Sequence, residues 1–229
     1  MINKTIGLVL ARSGSKGIKD KNIKLINNKP LFDYSIKSLV KSKICSKIIV
    51  STDSSKYINI IKKKYSKNFI FFKRSKKYAK DNSSSEEAIL EILNQLKKIL
   101  KKYKYCVFLQ LTSPLVKPQD FKDALNKFQI NRYDSLFTGY QSKKFYWHKK
   151  KNFYLSLNYN YKKRPRRQDF KGNIVENGAF YIFNLVKFKK YKNRLFGKIG
   201  CYFMSENRSL EIDNKSDLEN FKLLLKKNV

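Results

Sequence analysis

Two groups of residues in this 229-residue chain have the types and spacing to do chemistry. The first lies in the run from Ile6 to Leu31, IGLVLARSGSKGIKDKNIKLINNKPL, where an apolar stretch gives way to two glycines and several cations. Gly14 and Gly17 can take backbone angles denied to other residues and let a ligand approach the main chain, so successive amides can converge on an anion. Arg12, Lys16 and Lys21 add full positive charges around it. The spacing is neither the GxxxxGKS/T phosphate loop nor the GxGxxG dinucleotide fingerprint, and a bare Gly/Ser/Lys loop is more often just a turn. The second group is Glu211 and Asp213. On a strand, two residues separated by one point to the same side, about 6 to 7 Å between Cα atoms, which suits joint coordination of one hard cation, Mg2+ or Mn2+. Magnesium held this way offsets charge that develops in phosphoryl or nucleotidyl transfer. E-x-D alone usually means surface charge, but this chain has only 17 acidic residues against 52 basic ones.

Both groups need a scaffold. Ile6, Leu8, Val9 and Leu10 read as a buried strand feeding the loop. Pro30, then Leu31, Tyr34, Ser35 and Leu39, predicts a helix that starts on a proline-tolerant first turn. KIIVS at 47–51 is a short β-branched strand ending at Thr52 and Asp53; Ile58, Ile61 and Tyr65 follow at helical spacing, and 69–72 is another strand. This alternation predicts an α/β fold with a doubly wound, mostly parallel, mixed sheet. Ligands on such sheets gather at the carboxyl ends of strands, where the Arg12–Lys21 loop, Asp53 and Arg74 emerge.

Further along, 74–85 reads as an extended connection ending in a capping box, either Ser83 with Glu86 or Ser84 with Glu87. A helix carrying Ile89, Ile92, Leu93, Leu96, Ile99 and Leu100 follows. Residues 105–109 form a fourth strand that delivers Gln110 to Pro114 to the same edge; 118–128 suits a helix and 135–140 a strand. From about 143 to 170 the text turns aromatic, basic and alternating, and predicts an inserted β-ribbon arm leaving a main domain made of 1–142 and 171–229. Exposed aromatics of this kind favour self-association. Strands are expected at 179–183, 199–204 and 209–213, with a closing helix carrying Leu218, Phe221, Leu224 and Leu225.

The formal net charge of +35 would by itself suggest nucleic acid or an anionic membrane. The lysines are scattered over almost every segment, so a nucleic-acid role is not favoured, although anionic substrates would still be attracted. Three cysteines without CxxC spacing and one histidine argue against a disulfide framework or zinc site. No leader-like segment and no apolar run of about 18 residues is present, so the expectation is a soluble, cytoplasmic protein with no membrane partner.

The run LARSGSKGIKDKNIK resembles the N-terminal signature of the acylneuraminate cytidylyltransferases, enzymes that make CMP-sialic acid from CTP and a free sialic acid. The resemblance continues through IIVSTDSSKYI, RSKKYAKDNSSS, LQLTSPL, KRPRRQDF, ENGAFYIF and SLEIDNKSDL, in the family's order and over about the whole chain. It implies a Rossmann-like nucleotidyltransferase fold and a magnesium-dependent reaction of CTP with an acidic nine-carbon sugar. Leu10, Ala11, Arg12, Gly14, Ser15, Lys16, Gly17, Asn22, Arg74 and Ser85 would then bind nucleotide, with Arg12, Lys21 and Asp213 catalytic. Gln110, Asn177 and Tyr181 would face the sugar. The arm would form a homodimer, which could pair into a tetramer, and carry Arg167 and Gln168 into the neighbour's sugar site. The family's usual metal motif is D-x-D, so Glu211 departs from it and Asp213 is the firmer ligand. The alternatives are a cytidylyltransferase for legionaminic, pseudaminic acid or Kdo, or a noncatalytic basic binding protein on the same scaffold.

Overall fold

The computed structural model of the protein describes residues 4–14 and 17–227. Its elements in chain order begin with β1 (Thr5–Leu10), the two-residue strands β2 (Leu25–Ile26) and β3 (Lys29–Pro30), α1 (Leu31–Ser42), β4 (Lys47–Thr52), α2 (Ser55–Lys64) and β5 (Phe69–Lys73). Next come α3 (Ser85–Gln95), α4 (Lys97–Leu100), β6 (Tyr105–Leu109), α5 (Pro118–Ile130) and β7 (Ser135–Ser142). The remainder is β8 (Trp147–Lys150), β9 (Phe153–Ser156), β10 (Asn173–Asn184), α6 (Leu185–Tyr191), β11 (Ile199–Phe203) and α7 (Lys215–Lys227).

Seven strands form one sheet in the order β11-β7-β10-β6-β1-β4-β5. Only β10 runs against its neighbours β6 and β7; the other pairings, β1 with β4 and β6, β4 with β5, and β7 with β11, are parallel. The apolar text of the central strands follows from burial on both faces. Val9, Val50, Val107 and Leu109 pack on one side against Phe32, Ile36 and Leu39 of α1, Tyr57 of α2 and Phe121 of α5. Their alternates Leu8, Ile49 and Phe108 pack on the other against Ile89, Ile92 and Leu93 of α3 and Phe188 of α6. Each such side chain contributes roughly 1.5–3 kcal/mol on leaving water, so both helical layers are fixed to the sheet and the strand ends between them are rigid.

The chain's two directions of growth from β1, toward β4 on one side and β6 on the other, open a crevice at the carboxyl end of β1. Local caps direct the helices around it. Ser54 accepts the Tyr57 N–H to start α2, and α3 starts from the reciprocal box of Ser84 and Glu87, the second of the two expected pairings.

Three sequence expectations are corrected. The stripe from Ile89 to Leu100 is two helices, because Leu96 leaves helical geometry (φ −98°, ψ 23°) between α3 and α4. The returning strand begins at Asn173, six residues before 179, since β7 continues to Ser142 and gives it a partner; the ladder is irregular between Glu176 and Tyr181. Residues 209–213 form no strand. They have the alternation of one, with Ile212 buried between exposed Glu211 and Asp213, but no sheet partner beyond the Ile212 N–H donated to the Thr112 carbonyl at 2.8 Å. Ile212 instead anchors in a third cluster with Ile18, Ile26, Leu31, Leu218 and Phe221.

Between β7 and β10, strands β8 and β9 pair as an antiparallel hairpin of their own. Phe145 packs on Tyr159 and Phe170 at its root, while Trp147, Phe153 and Tyr154 stay about half exposed. Among the described residues, no helix is long and apolar enough to cross a membrane.

Candidate active site

The loop after β1 is tied down on every side. The Ala11 N–H donates to the Ser51 carbonyl at 2.8 Å, carrying the β1–β4 ladder one residue further and burying Ala11. Asp53, just beyond β4, accepts from the Ser13 N–H at 2.9 Å and its hydroxyl at 2.6 Å. Asp20 takes a left-handed conformation (φ 53°) and accepts from Lys56 at 3.0 Å and the Tyr57 hydroxyl at 3.1 Å. These contacts deliver Lys21 and Asn22 on a single 3-10 turn, with the Asn22 amide donating to the Arg12 carbonyl at 3.3 Å.

The C-terminal segment closes the other side of that loop. Lys21 Nζ donates to the Ile212 carbonyl at 2.7 Å and to Asp213 Oδ1 at 3.0 Å. The backbone N–H groups of Asp213 and Asn214 both donate to Asp217 at the start of α7, which fixes the segment. Gly17 faces Asp213 so closely that a Cβ there would run into the Asp213 carbonyl oxygen. Residues 196 positions apart are thus in backbone contact, and glycine is the only residue type that permits it. Gly14, by contrast, has open space around its Cβ position.

Two adjoining clefts of about 250 and 260 Å³ result, sharing Leu10, Arg12 and Gln110. The first is completed by Gly17, Lys21, Asn22, Leu111, Thr112 and Asp213, the second by Arg74, Tyr78, Ser84, Ser85 and the 80–83 turn. Both have polar walls. Arg12 reaches Asp81 across the second cleft at 2.8 Å. Arg74 is buried and held by Ser51, donating to its hydroxyl at 3.1 Å and its carbonyl at 2.8 Å; burial lowers its pKa, opposed by the nearby charges of Asp53 and Glu91. Ser15 and Lys16 lie outside the described residues.

Glu211 and Asp213 share this edge. Although Glu211 is exposed as a residue, protein atoms crowd its carboxyl, and this loss of solvation, then the charge of Asp213, holds it above the usual glutamate range, against the Thr112 hydroxyl donating at 3.3 Å and the charge of Lys21. Two carboxylates that resist joint ionisation are relieved by a divalent cation, so the pair fits Mg2+ or Mn2+ chemically. Among the described residues no third His, Cys, Asp or Glu completes such a group. A carboxyl with a raised folded pKa contributes stability in acid and loses it as pH rises through that pKa. Glu211→Gln is therefore expected to leave the thermal midpoint equal to or above wild type at neutral pH, the difference closing below the usual glutamate range. A calorimetric pH series checks this, and a lower midpoint at pH 8 would contradict it.

The expected sugar-facing residues divide. Gln110 ends β6, with its N–H donated to the Ala179 carbonyl at 3.0 Å, and borders both clefts. Tyr181 is buried, stacked on Phe108 with ring centroids 6.0 Å apart, and its hydroxyl donates to Glu176. Asn177 is buried too, its amide donating to the Ser209 hydroxyl at 2.8 Å and its carbonyl accepting the Ala179 N–H at 3.2 Å. It braces the 204–209 segment rather than lining either cleft. Arg167 and Gln168 stand exposed beyond the hairpin, away from both clefts, with the Gln168 carbonyl accepting from Lys143 at 3.0 Å. Sequence reasoning passed over Tyr78, Asp81 and Thr112 in the clefts and Arg194 beside Tyr181. Tyr78 and Asp81, inside RSKKYAKDNSSS, and Thr112, inside LQLTSPL, lay in stretches already singled out; Arg194 did not.

Comparison with known proteins identifies a family. A family model described as cytidylyltransferase matches residues 6–229. The N-acylneuraminate cytidylyltransferase A of Danio rerio is 33% identical over 212 residues, covering 90% of this chain and 47% of that protein. This chain thus spans about half the length of that relative. The pseudaminic acid cytidylyltransferase of Campylobacter jejuni is 30% identical over 231 residues, covering 98% of this chain and 97% of the relative. Among solved structures, CMP:2-keto-3-deoxy-manno-octonic acid synthetase complexed with CTP superposes with a TM-score of 0.72 at 13% identity, covering 99% of this chain and all of that one, which shows a shared fold.

Proposed function

This chain belongs to the cytidylyltransferase family, and from that premise we propose that it joins CTP to a sialic acid, giving the CMP-sugar and pyrophosphate. The observation that carries the reading is the meeting of Arg12, Lys21 and Asp213 at one polar cleft on the carboxyl end of β1. CTP lies over the 10–17 loop, its phosphates facing Arg12 and Lys21, with Asn22, Arg74 and Ser85 placing the nucleoside. The anomeric 2-hydroxyl of the sugar attacks the α-phosphate in line. A phosphorus–oxygen bond to the sugar forms, the bond to the β-phosphate oxygen breaks, pyrophosphate departs, and the hydroxyl proton passes to solvent. The residues act mainly by positioning and by opposing the charge that develops on the phosphoryl oxygens. Asp213, with Glu211, would hold magnesium, whose contribution is charge neutralisation at the triphosphate.

The half-exposed aromatic side chains of the β8–β9 hairpin support self-association into a dimer, through which Arg167 and Gln168 would reach the partner's sugar site. A single-domain relative acting on pseudaminic acid, matched over nearly its whole length, favours a second reading in which the sugar is another nonulosonic acid. Pyrophosphate release from CTP, measured over a panel of nonulosonic acids with and without magnesium, tests both. Release with sialic acid as the best substrate is expected; preference for pseudaminic or legionaminic acid selects the second reading, and no release with any sugar rejects both.

A further inference from the structure

Arg194 lies in the turn between α6 and β11, in a stretch that looks like one more part of the chain's basic background. Its surroundings are different from those of the other cations. The side chain is only 19% exposed, and its guanidinium forms a two-point pair with Glu86, Nε to one oxygen at 2.6 Å and Nη2 to the other at 3.1 Å. The same guanidinium lies over the rings of Tyr181 and Phe108, 4.9 and 5.1 Å from their centroids. Those rings are cross-strand partners on β10 and β6.

Two segments that lead to the clefts, and β10 beside them, therefore meet at one cation. Glu86 follows Ser85 in the first turn of α3, and Ser84 and Ser85 line the second cleft. Phe108 lies on β6 two residues before Gln110, which follows the strand's last residue and borders both clefts. Tyr181 passes its hydroxyl to Glu176, at the irregularity of β10 where the strand turns toward the hairpin. A lysine could keep the charge but neither the two-point fork nor the flat stacking surface.

We propose that Arg194, held by Glu86, is a positioning residue that sets the sugar side of the site by fixing the stacked rings of Tyr181 and of Phe108, which lies two residues along the chain from cleft-lining Gln110. It touches neither nucleotide nor phosphate and acts through its neighbours. The inference rests on the proposed reaction of CTP with an acidic sugar.

Arg194→Lys and Glu86→Gln should each raise the KM for the sugar about tenfold, the scale expected when a supporting partner is lost. Saturating kcat and the dissociation constant for CTP alone, read by calorimetry without sugar, should stay within about twofold of wild type. The double variant should be no worse than the poorer single one, as for residues acting as one unit. Sugar KM unchanged in both variants, or CTP binding weakened as much as sugar KM, would overturn the assignment while leaving the proposed function standing. If Arg194→Lys fails to fold, Glu86→Gln carries the same comparison. No pyrophosphate release by the wild-type protein would instead reject the function, and this inference with it.

Discussion

Replacing Lys21 with alanine is expected to lower turnover of CTP and the acidic sugar by about 10²–10³-fold, the range seen when one fixed charge-stabilising donor is removed. The fold should hardly notice. Asp213, the ion-pair partner, is 65% exposed on its side chain, and exposed pairs of this kind contribute about 1 kcal/mol or less. What the substitution removes is a cation whose position is set from two directions, by Asp20 anchored on α2 and by the Ile212 carbonyl. Lys21 pairs with Asp213; in the proposed reaction a triphosphate entering the cleft would offer it a stronger anion and leave Asp213 available for a cation. Pyrophosphate release measured beside a melting curve separates the two effects. Near-normal rates in a variant that melts like wild type would remove Lys21 from the chemistry.

The parts of this site that lie within one segment could be read from the sequence. A strand, a glycine-bearing turn and a run of cations follow one another between Ile6 and Asn22, and local rules suffice to predict what they build. The central strands were equally legible, because burial on both faces leaves continuous apolar text. What escaped was set by pairing across distance. Arg194 and Glu86 are 108 residues apart, and neither carries a local signal that distinguishes it from a solvated charge. Asp81 sits in a turn of lysines and serines, and nothing around it indicates that it will meet Arg12. The alternation at 209–213 misled for a related reason. Period-two text reports one buried and one solvated side, and here the buried side faces α7 and the β2–β3 turn rather than a neighbouring strand. Glu211 and Asp213 are still both exposed on either side of buried Ile212, although the element that carries them is not a strand.

The closest approach between the two halves of the site gives the second large effect. Gly17→Ala places a methyl group where the Asp213 carbonyl oxygen stands, and the obstacle is backbone on both sides, so no side chain can rotate to make room. Either the 12–21 loop or the 211–214 segment must move. The segment is held by Ile212 in its apolar cluster, by the Thr112 carbonyl and by Asp217, and the loop by Ile18 in the same cluster and by Asp20 on α2. Movement of either side draws Lys21 away from Asp213. Turnover should fall by about 10²-fold, as displacements near 1 Å at a reacting site commonly produce, with a stability loss of about 1–3 kcal/mol from the overpacked contact. Gly14→Ala is the control, because its added methyl meets no protein atom within 4 Å. It should melt like wild type, and any loss of rate should appear as weaker CTP binding. Equal melting temperatures and equal rates for Gly17→Ala and wild type would mean that the phosphate-side loop and the acidic segment do not need their close contact to form a working site.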